Sequence, residues 1–171
     1  LKELGDRYGE AKCYTNFGDI YYGLGDFKKA LEYHERSLEI AEETGDKDGK
    51  LVCYTNLGNV YNDLGNLRKA LEYLEESLKF AKETGNIDSE RIINLALSQV
   101  YYESKPELAF DYCKRSLELS EMVRGNLVEE EHKIGFFTRV SFTYQYMVSL
   151  CLNLKKEKEA FNYTERSKFL L

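Results

Sequence analysis

The four cysteines have the widest chemistry in this chain, since a thiolate can act as a nucleophile, bind a metal or form a disulfide. None has a second cysteine or a histidine beside it at metal-ligand spacing. Two of them occupy the same place in a stretch that the chain repeats, as small apolar packing residues would. We therefore expect buried free thiols in a reducing, cytoplasmic compartment, with a disulfide or metal role as the alternative. The cysteines are Cys13, Cys53, Cys113 and Cys151.

A nucleophile also needs a base, and only two histidines could serve. His34 stands where the repeated stretch has Leu74, so we interpret it as a buried or boundary packing residue. His132 lies in the charged stretch VEEEHK, which is typical of a solvated helix face. The chain has no Walker loop, no H-E-x-x-H and no G-x-S-x-G motif. We predict that the chain is not an enzyme and uses no cofactor and no metal.

The composition disfavours several classes of partner. The chain has 171 residues, a formal net charge of −6 and no run of lysine and arginine, which argues against nucleic acid. No apolar stretch approaches the roughly 20 residues that a membrane-spanning helix needs. The single proline favours helix, because proline removes a backbone donor and breaks helices. The first residue is not methionine, and we interpret the chain as a piece of a longer protein.

The chain repeats itself with a period of 40 residues. Residues 11–50 and 51–90 align without a gap and are identical at 21 of 40 positions. Apolar residues recur at the spacing of an α-helix. Glycine followed by Asp or Asn divides each copy into two helices, because glycine permits the left-handed backbone of a helix end and Asp or Asn caps the next helix. These breaks fall at Gly25-Asp26, Gly45-Asp46, Gly65-Asn66 and Gly85-Asn86.

Two weaker copies follow, so the pattern predicts four helix pairs. The third copy opens its second helix at Pro106, and the fourth begins with a long helix from about Leu127 to Leu154, after a break at residues 124–126. At the front, Leu4-Gly5-Asp6 matches Thr44-Gly45-Asp46 and predicts that the chain opens on the tail of another unit. The predicted units are about residues 6–45, 46–85, 86–125 and 126–171, in a single array.

The first two copies resemble the tetratricopeptide repeat family. Small residues in its signature let the two helices of a pair approach closely, which offsets the cost of about 1 kcal/mol for a glycine inside a helix. The copies depart from the family at His34 and Leu74, which replace a late aromatic residue, and in a period of 40 rather than about 34 residues. The matching residues are Tyr14, Phe17, Gly18, Tyr21 and Ala30, then Tyr54, Leu57, Gly58, Tyr61 and Ala70.

The 40-residue spacing is similar to that of one subgroup of the family. This subgroup contains the Pins/LGN spindle-orientation proteins, the kinesin light chains and the arrays that precede CHAT-type caspase-like domains. The closing segment KKEKEAFNYTERSKFLL is similar to the helix that often leads into a CHAT domain. The resemblance implies a protein–protein interaction scaffold that takes a peptide or a partner helix in its groove. The alternative is a regulatory segment packed on an attached C-terminal catalytic domain, such as a CHAT-type protease.

The resemblance also implies an all-α, right-handed α-α superhelix whose first helices line a concave wall. Amides and hydroxyls on that wall can satisfy the main chain of an extended peptide, and tyrosines add contact area. A merely solvated groove is the alternative for any single residue. A negative C-terminus is disfavoured as ligand, since Thr15, Thr55 and Asp19 replace the lysines and asparagine of the family's carboxylate clamp. The predicted binding residues are Thr15, Asp19, Tyr22, Thr55, Asn59, Asn62, Gln99, Tyr102, Gln145 and Ser149.

The C-terminal helix, expected from about Lys156 to Leu171, carries more apolar surface than one helix pair can cover. Repeat arrays need a polar capping element at their ends. We therefore predict that a further helix or domain packs there in the intact protein, and that a second copy takes its place in this chain, which would then self-associate through this helix. The apolar residues are Phe161, Phe169, Leu170 and Leu171.

Overall fold

The computed structural model describes residues 2–124 and 130–168, and side chains within residues 6–124 and 135–168. In these ranges the chain forms eight α-helices, which confirms the predicted all-α fold of four helix pairs. The helices are α1 (Lys2–Gly23), α2 (Phe27–Thr44), α3 (Lys47–Asp63), α4 (Leu67–Thr84), α5 (Ile87–Tyr101), α6 (Pro106–Arg124), α7 (Glu130–Asn153) and α8 (Glu157–Lys168).

At the predicted breaks, glycine ends one helix and Asp or Asn begins the next. Gly45 has a φ of 69°, and its N–H bonds the carbonyl oxygens of the last turn of α2. The side chain of Asp46 then accepts a hydrogen bond from the N–H of Gly49 at 3.0 Å and caps α3. Asp26 and Asn86 cap α2 and α5 in the same way. The breaks are therefore confirmed.

The last turn carries the same left-handed backbone without a glycine. Between α7 and α8, Lys155 has a φ of 57° at the position that aligns with Gly65. The left-handed region costs a residue with a side chain about 1 kcal/mol or more. This turn is therefore strained where its counterpart in the second copy is relaxed.

Two expectations about helix bounds need comment. The expected helix end at Leu4-Gly5-Asp6 is wrong, because α1 is continuous from Lys2 and the capping geometry of Gly45-Asp46 is not repeated there. The long fourth-copy helix is confirmed over Glu130–Asn153, and Pro106 opens α6 as predicted. The expected break at residues 124–126 falls largely outside the described residues.

The chain divides into two compact units. Unit 1 is Leu1–Ala81 and contains α1, α2, α3 and most of α4, whereas unit 2 is Lys82–Leu171 and contains α5 to α8. Each is described by itself below. The four-unit division predicted from the repeat stays a prediction.

Close approach of paired helices organises the core of unit 1. A Cβ added at Gly18 would lie 2.4 Å from the His34 ring, and one at Gly58 would lie 2.6 Å from Leu74 Cγ. Real Cβ atoms do not tolerate such distances, so each glycine makes room for the large side chain of the facing helix. Ala30 and Ala70 are fully buried. The predicted role of these small residues is confirmed.

Stacked tyrosines reinforce three of the pairs. The rings of Tyr21 and Tyr33 lie 5.4 Å apart at 5°, and those of Tyr61 and Tyr73 lie 5.6 Å apart at 4°. In unit 2, Tyr101 and Tyr112 stack in the same way. A lysine ammonium covers the first ring of each stack, which adds a cation–π interaction. These lysines are Lys29, Lys69 and Lys105.

Candidate functional site

Two predicted binding residues, Thr15 and Thr55, hold their own helix pairs together. The Thr15 hydroxyl lies 2.8 Å from the Ser37 hydroxyl on α2, and Ser37 donates to the backbone oxygen of Ala11 at 2.9 Å. The second pair repeats this arrangement, with 2.7 Å between the hydroxyls of Thr55 and Ser77. Both threonine hydroxyls are used within the fold, and a bound partner would have to compete for them.

Polar side chains of α1 and α3 meet in unit 1. Asn56 donates from Nδ2 to Asp19 Oδ1 at 2.9 Å, and the Tyr22 hydroxyl donates to Asp63 Oδ2 at 2.7 Å. Burial and the Asp63 carboxylate raise the pKa of Tyr22, so the phenol remains a donor at neutral pH. We call this surface the α1–α3 wall. Its members are Asp19, Tyr22, Asn56, Asn59, Asn62 and Asp63.

Sequence reasoning found four of the six wall residues and missed Asn56 and Asp63. Both lie on the same face of α3 as Asn59, because residues three and four apart are neighbours on a helix. That spacing is the sequence signal that could have identified Asn56 and Asp63. The hydrogen bonds to α1 could not be anticipated, since they depend on how α1 and α3 pack. Asn59 and Asn62 are half-buried, whereas Asp63 is exposed.

His34 lies behind the wall, on α2. Its side chain is 1% exposed, and its Nε2 is 3.7 Å from Asp19 Oδ1. Its Nδ1 has no hydrogen-bond partner among the described residues. Burial lowers the pKa of His34 to about 4, so the imidazole is neutral at pH 7. The interpretation as a packing residue is confirmed; the His132 side chain lies outside the described ones.

In unit 2, the structure brings Tyr102 together with α7. Its ring centroid lies 5.8 Å from that of Tyr146, and its hydroxyl lies 3.3 Å from the Ser149 hydroxyl. Burial raises the pKa of Tyr146 to about 12, so this phenol is also neutral. Gln99 and Gln145 are exposed on α5 and α7. We call these five residues the α5–α7 wall; Tyr146 was not predicted from the sequence.

Three cysteines are buried free thiols as expected, and one is not. Burial raises the pKa of Cys53, Cys113 and Cys151, which keeps them as thiols. The expectation is wrong for Cys13, which is exposed. Cys53 packs on α2, with its Sγ 3.3 Å from the Ser37 hydroxyl, whereas Cys13 lies on an exposed face of α1. In the part of the chain that the structure describes, no group of three His, Cys, Asp or Glu could hold a metal ion.

A family profile matches the repeated part of the chain. The profile described as "Tetratricopeptide repeat" matches residues 10–83. Residues 10–83, somewhat less than half of the chain, are thus similar to tetratricopeptide repeats. The close glycine contacts and the stacked tyrosines of unit 1 lie within the matched residues. The comparison does not distinguish among the Pins/LGN, kinesin-light-chain and CHAT-associated subgroups, so the subgroup stays a prediction.

Two solved structures show that the tetratricopeptide fold extends over most of the chain. The crystal structure of BtubC (BKLC) from P. vanneervenii aligns with a TM-score of 0.77 and 21% identity, over 94% of this chain and 62% of that chain. The crystal structure of the apo form of RapI aligns with a TM-score of 0.76 and 18% identity, over 95% of this chain and 56% of that chain. Identities this low show the fold alone, and the chain spans less than two thirds of either structure.

No curated protein matches the chain. Among the described helices, none combines the length and the apolar character needed to cross a membrane.

Proposed function

We propose that this chain is a protein–protein interaction scaffold that holds a peptide or a partner helix against its first-helix walls. The observation that carries the proposal is the α1–α3 wall itself. Asp19 and Tyr22 are held in place by hydrogen bonds from and to α3, so polar groups are presented on ordered helices rather than on loops. Groups oriented before binding lose less conformational entropy when a partner arrives.

The amides of Asn59 and Asn62 are the best candidates for contacts with a partner's main chain. Both are half-buried on α3, within the α1–α3 wall. An asparagine side chain offers a donor and an acceptor, which matches the alternating N–H and C=O groups of an extended peptide. The α5–α7 wall contributes Gln99, Tyr102, Gln145 and Ser149 in unit 2, and the proposal includes these residues.

Replacing both asparagines tests the proposal. Peptides selected on the chain from a random dodecapeptide library would be synthesised, and their binding to the wild type and to the Asn59→Ala, Asn62→Ala double variant measured by calorimetry. Each lost hydrogen bond is worth about 1 kcal/mol, so we expect the dissociation constant to rise about tenfold or more. The melting temperature should change little, because neither asparagine is buried in the core.

A matched control is the Asn153→Ala, Asn162→Ala double variant, which removes two exposed amides elsewhere. It should bind the peptides as the wild type does. A structure of the complex with the partner solely on α2 and α4 would contradict the proposed site. Selection of no peptide at all would contradict the proposed function.

A second candidate function is a regulatory segment that packs on an attached catalytic domain. The observation in its favour is Phe161, whose ring is 68% exposed on α8. The same ring would serve self-association, whereas Phe169, Leu170 and Leu171 lie outside the described residues. Light scattering on this chain and on a longer one separates packing on an attached domain from self-association.

We further propose a cytoplasmic location, from the free cysteines. We also propose that the chain has no catalytic role, no cofactor and no nucleic-acid or membrane partner.

A further inference from the structure

One face of α1 exposes apolar side chains at the spacing of a helix contact. Phe17 is 48% exposed, Ile20 56% and Leu24 73%. Cys13, one turn before Phe17, is exposed as well. Residues three and four apart lie on one side of a helix, and Leu24 continues the last turn because its N–H bonds the carbonyl oxygen of Ile20 at 3.0 Å. We call Gly9, Cys13, Phe17, Ile20 and Leu24 the α1 seam.

The second copy of the repeat shows that this face is suited to contact with another helix. On α3, the corresponding face packs on α2, and Cys53 and Leu57 are 0% exposed and Val60 1%. A Cβ at Gly49 would lie 3.5 Å from the Cβ of Ala41 on α2, whereas nothing lies within 4 Å of a Cβ at the aligned Gly9. The α1 seam therefore has the residues of an interhelical contact without a helix against it among the described residues.

The charges beside the α1 seam argue against an occupant that copies α2. Lys50 of α3 pairs with Glu42 of α2 at 3.1 Å. Glu10 stands at the corresponding position of α1 and pairs with Arg7 of the same helix at 2.8 Å. A helix like α2 would bring its glutamate against Glu10, and like charges repel. An occupant that is apolar at this end of the seam fits better.

The α1 seam is small at one end and large at the other. Gly9 and Cys13 border an open cavity of about 680 Å³, whereas Ile20 and Leu24 are exposed at the opposite end. A second α1 that runs in the opposite direction would set its large residues over the cavity and receive the large residues of the first in its own. Two α1 helices that run in the same direction would set large residues against large ones, and close packing would be lost. The cavity is lined by Asp6, Arg7, Gly9, Glu10 and Cys13.

The spacing along the chain fits one antiparallel register. Gly9 and Leu24 have the same midpoint as Cys13 and Ile20, so a single two-fold axis between residues 16 and 17 pairs both small residues with both large ones. Phe17 then lies beside the axis, where its ring can stack on that of the second copy. The paired stretch is about 22 Å long.

The exposed apolar area suits a weak dimer. If a whole large side chain has about 170 Å² of surface, the three large residues of the α1 seam expose about 300 Å² in each copy. Two copies would bury about 600 Å² through these side chains alone, which is about half of the area at which specific interfaces begin. The residues around them add to this area. We therefore expect a dissociation constant in the micromolar range or weaker.

We propose that the chain forms a symmetric dimer in which the α1 seams of two copies pack antiparallel, with Gly9 against Leu24 and Cys13 against Ile20 of the second copy. Successive residues of a helix are about 100° apart, so the α1 seam lies on the opposite side of α1 from the residues of the α1–α3 wall. The dimer therefore leaves both walls free. A partner with two copies of a recognised segment would gain affinity by binding both. This inference goes beyond the proposed scaffold function and does not depend on it.

Analytical ultracentrifugation of the whole chain tests the dimer. The wild type should show a reversible monomer–dimer equilibrium from low micromolar to near-millimolar concentration. Ile20→Glu places a charge in the α1 seam and should raise the dissociation constant about tenfold or more. The melting temperature of dilute protein should change little, because Ile20 is exposed in a single copy.

The matched control is Phe161→Glu, which replaces an exposed apolar residue on α8 and should dimerise as the wild type does. It also tests self-association through α8. A dimer that is lost in the Phe161 variant and kept in the Ile20 variant would overturn the inference. A wild type that stays monomeric up to near-millimolar concentration would overturn it too, and binding of selected peptides by that monomer would leave the proposed function standing.

Disulfide formation tests the register. In the proposed dimer the two Cys13 residues are seven positions apart, or about 10 Å along the helix axis, which is too far for a disulfide. Mild oxidation of Ile20→Cys should join position 13 of one copy to position 20 of the other, as measured by mass spectrometry of tryptic peptides. The wild type and Leu24→Cys should form no such bond, and the three buried cysteines should not interfere. A wild-type dimer linked through Cys13, or a failure of Ile20→Cys to cross-link, would overturn the register.

Discussion

One contact between paired helices is filled by side chains of different sizes in unit 1 and in unit 2. In unit 1, Gly58 faces Leu74, and a Cβ at Gly58 would lie 2.6 Å from the leucine Cγ. In unit 2, Ser98 aligns with Gly58, and the smaller Cys113 aligns with Leu74. Both Ser98 and Cys113 are fully buried. The contact between paired helices is therefore filled from one helix in unit 1 and from both helices in unit 2.

The larger residue of unit 2 also gains a hydrogen bond. The Ser98 hydroxyl donates to the backbone oxygen of Ala109 at 2.6 Å, across the contact between α5 and α6. In unit 1, the backbone oxygen of Ala70 lies 3.4 Å from the position that a Cβ at Gly58 would take. A carbonyl oxygen that already accepts within its helix has a second lone pair for such a bond. Glycine and serine are thus two solutions to one contact.

A second contact between paired helices is hydrogen-bonded in unit 1 and not in unit 2. Unit 1 joins its pairs with hydroxyls, since Thr55 lies 2.7 Å from Ser77. In unit 2, Leu95 aligns with Thr55, and the buried hydroxyl of Ser116 has no hydrogen-bond partner among the described residues. The serine persists in the third copy while its partner is lost. Unit 2 therefore carries a buried polar group that unit 1 satisfies.

The largest expected effect is on the pH dependence of stability. It comes from His34→Leu, which gives the first helix pair of unit 1 the leucine that the second pair has at position 74. The folded pKa of about 4 lies below the usual 6.5, so protons bind the unfolded chain first as the pH falls from 6.5 to 4. The wild type should lose about 3 kcal/mol of unfolding free energy over that window, relative to the variant. Urea denaturation of both proteins at pH 7.5 and pH 4 measures this difference. Identical pH dependence in the two proteins would contradict the buried, neutral state of His34.

The next effect is overpacking of the second pair, with Gly58→Leu. The new side chain would overlap Leu74, so we expect a loss of about 1–3 kcal/mol. The control is Gly9→Leu, since nothing lies within 4 Å of a Cβ at that position of α1. Leucine favours helix over glycine, so this control should be neutral or slightly stabilising. Equal melting temperatures for the Gly58 variant and the wild type would refute the close helix contact.

The smallest effect is the contrast between two serines that align with each other. Ser77→Ala removes a hydroxyl that bonds Thr55 and the backbone oxygen of Leu51, and we expect a loss of about 1 kcal/mol. Ser116→Ala removes a hydroxyl that has no partner among the described residues, so stability should stay the same or rise. Chemical denaturation of both variants measures the contrast. A loss of equal size at Ser116 would show that its hydroxyl is satisfied after all.

Part of the candidate site could be read from the sequence, because helical spacing alone places residues on a common face. Asp19, Tyr22, Asn59 and Asn62 were identified in this way. Asn56 and Asp63 were missed because their contacts cross from α3 to α1. The exposure of Cys13 was missed because the alignment with Cys53 reports residue type and not which helix covers it.

The sequence by itself determined the features that depend on neighbours along the chain. Gly45-Asp46 specifies a helix end and a cap because both need only local backbone geometry, and the 40-residue repeat specifies which small residues face a partner helix. The tertiary structure decided what depends on distances between helices. Only packing places His34 Nε2 3.7 Å from Asp19 Oδ1, leaves His34 Nδ1 without a hydrogen-bond partner among the described residues and keeps the carboxylate exposed. Local propensity acts over a few residues of the chain, whereas burial and electrostatics act between residues that are distant in sequence. The chemistry of the α1–α3 wall therefore follows from burial and electrostatics and not from local propensity.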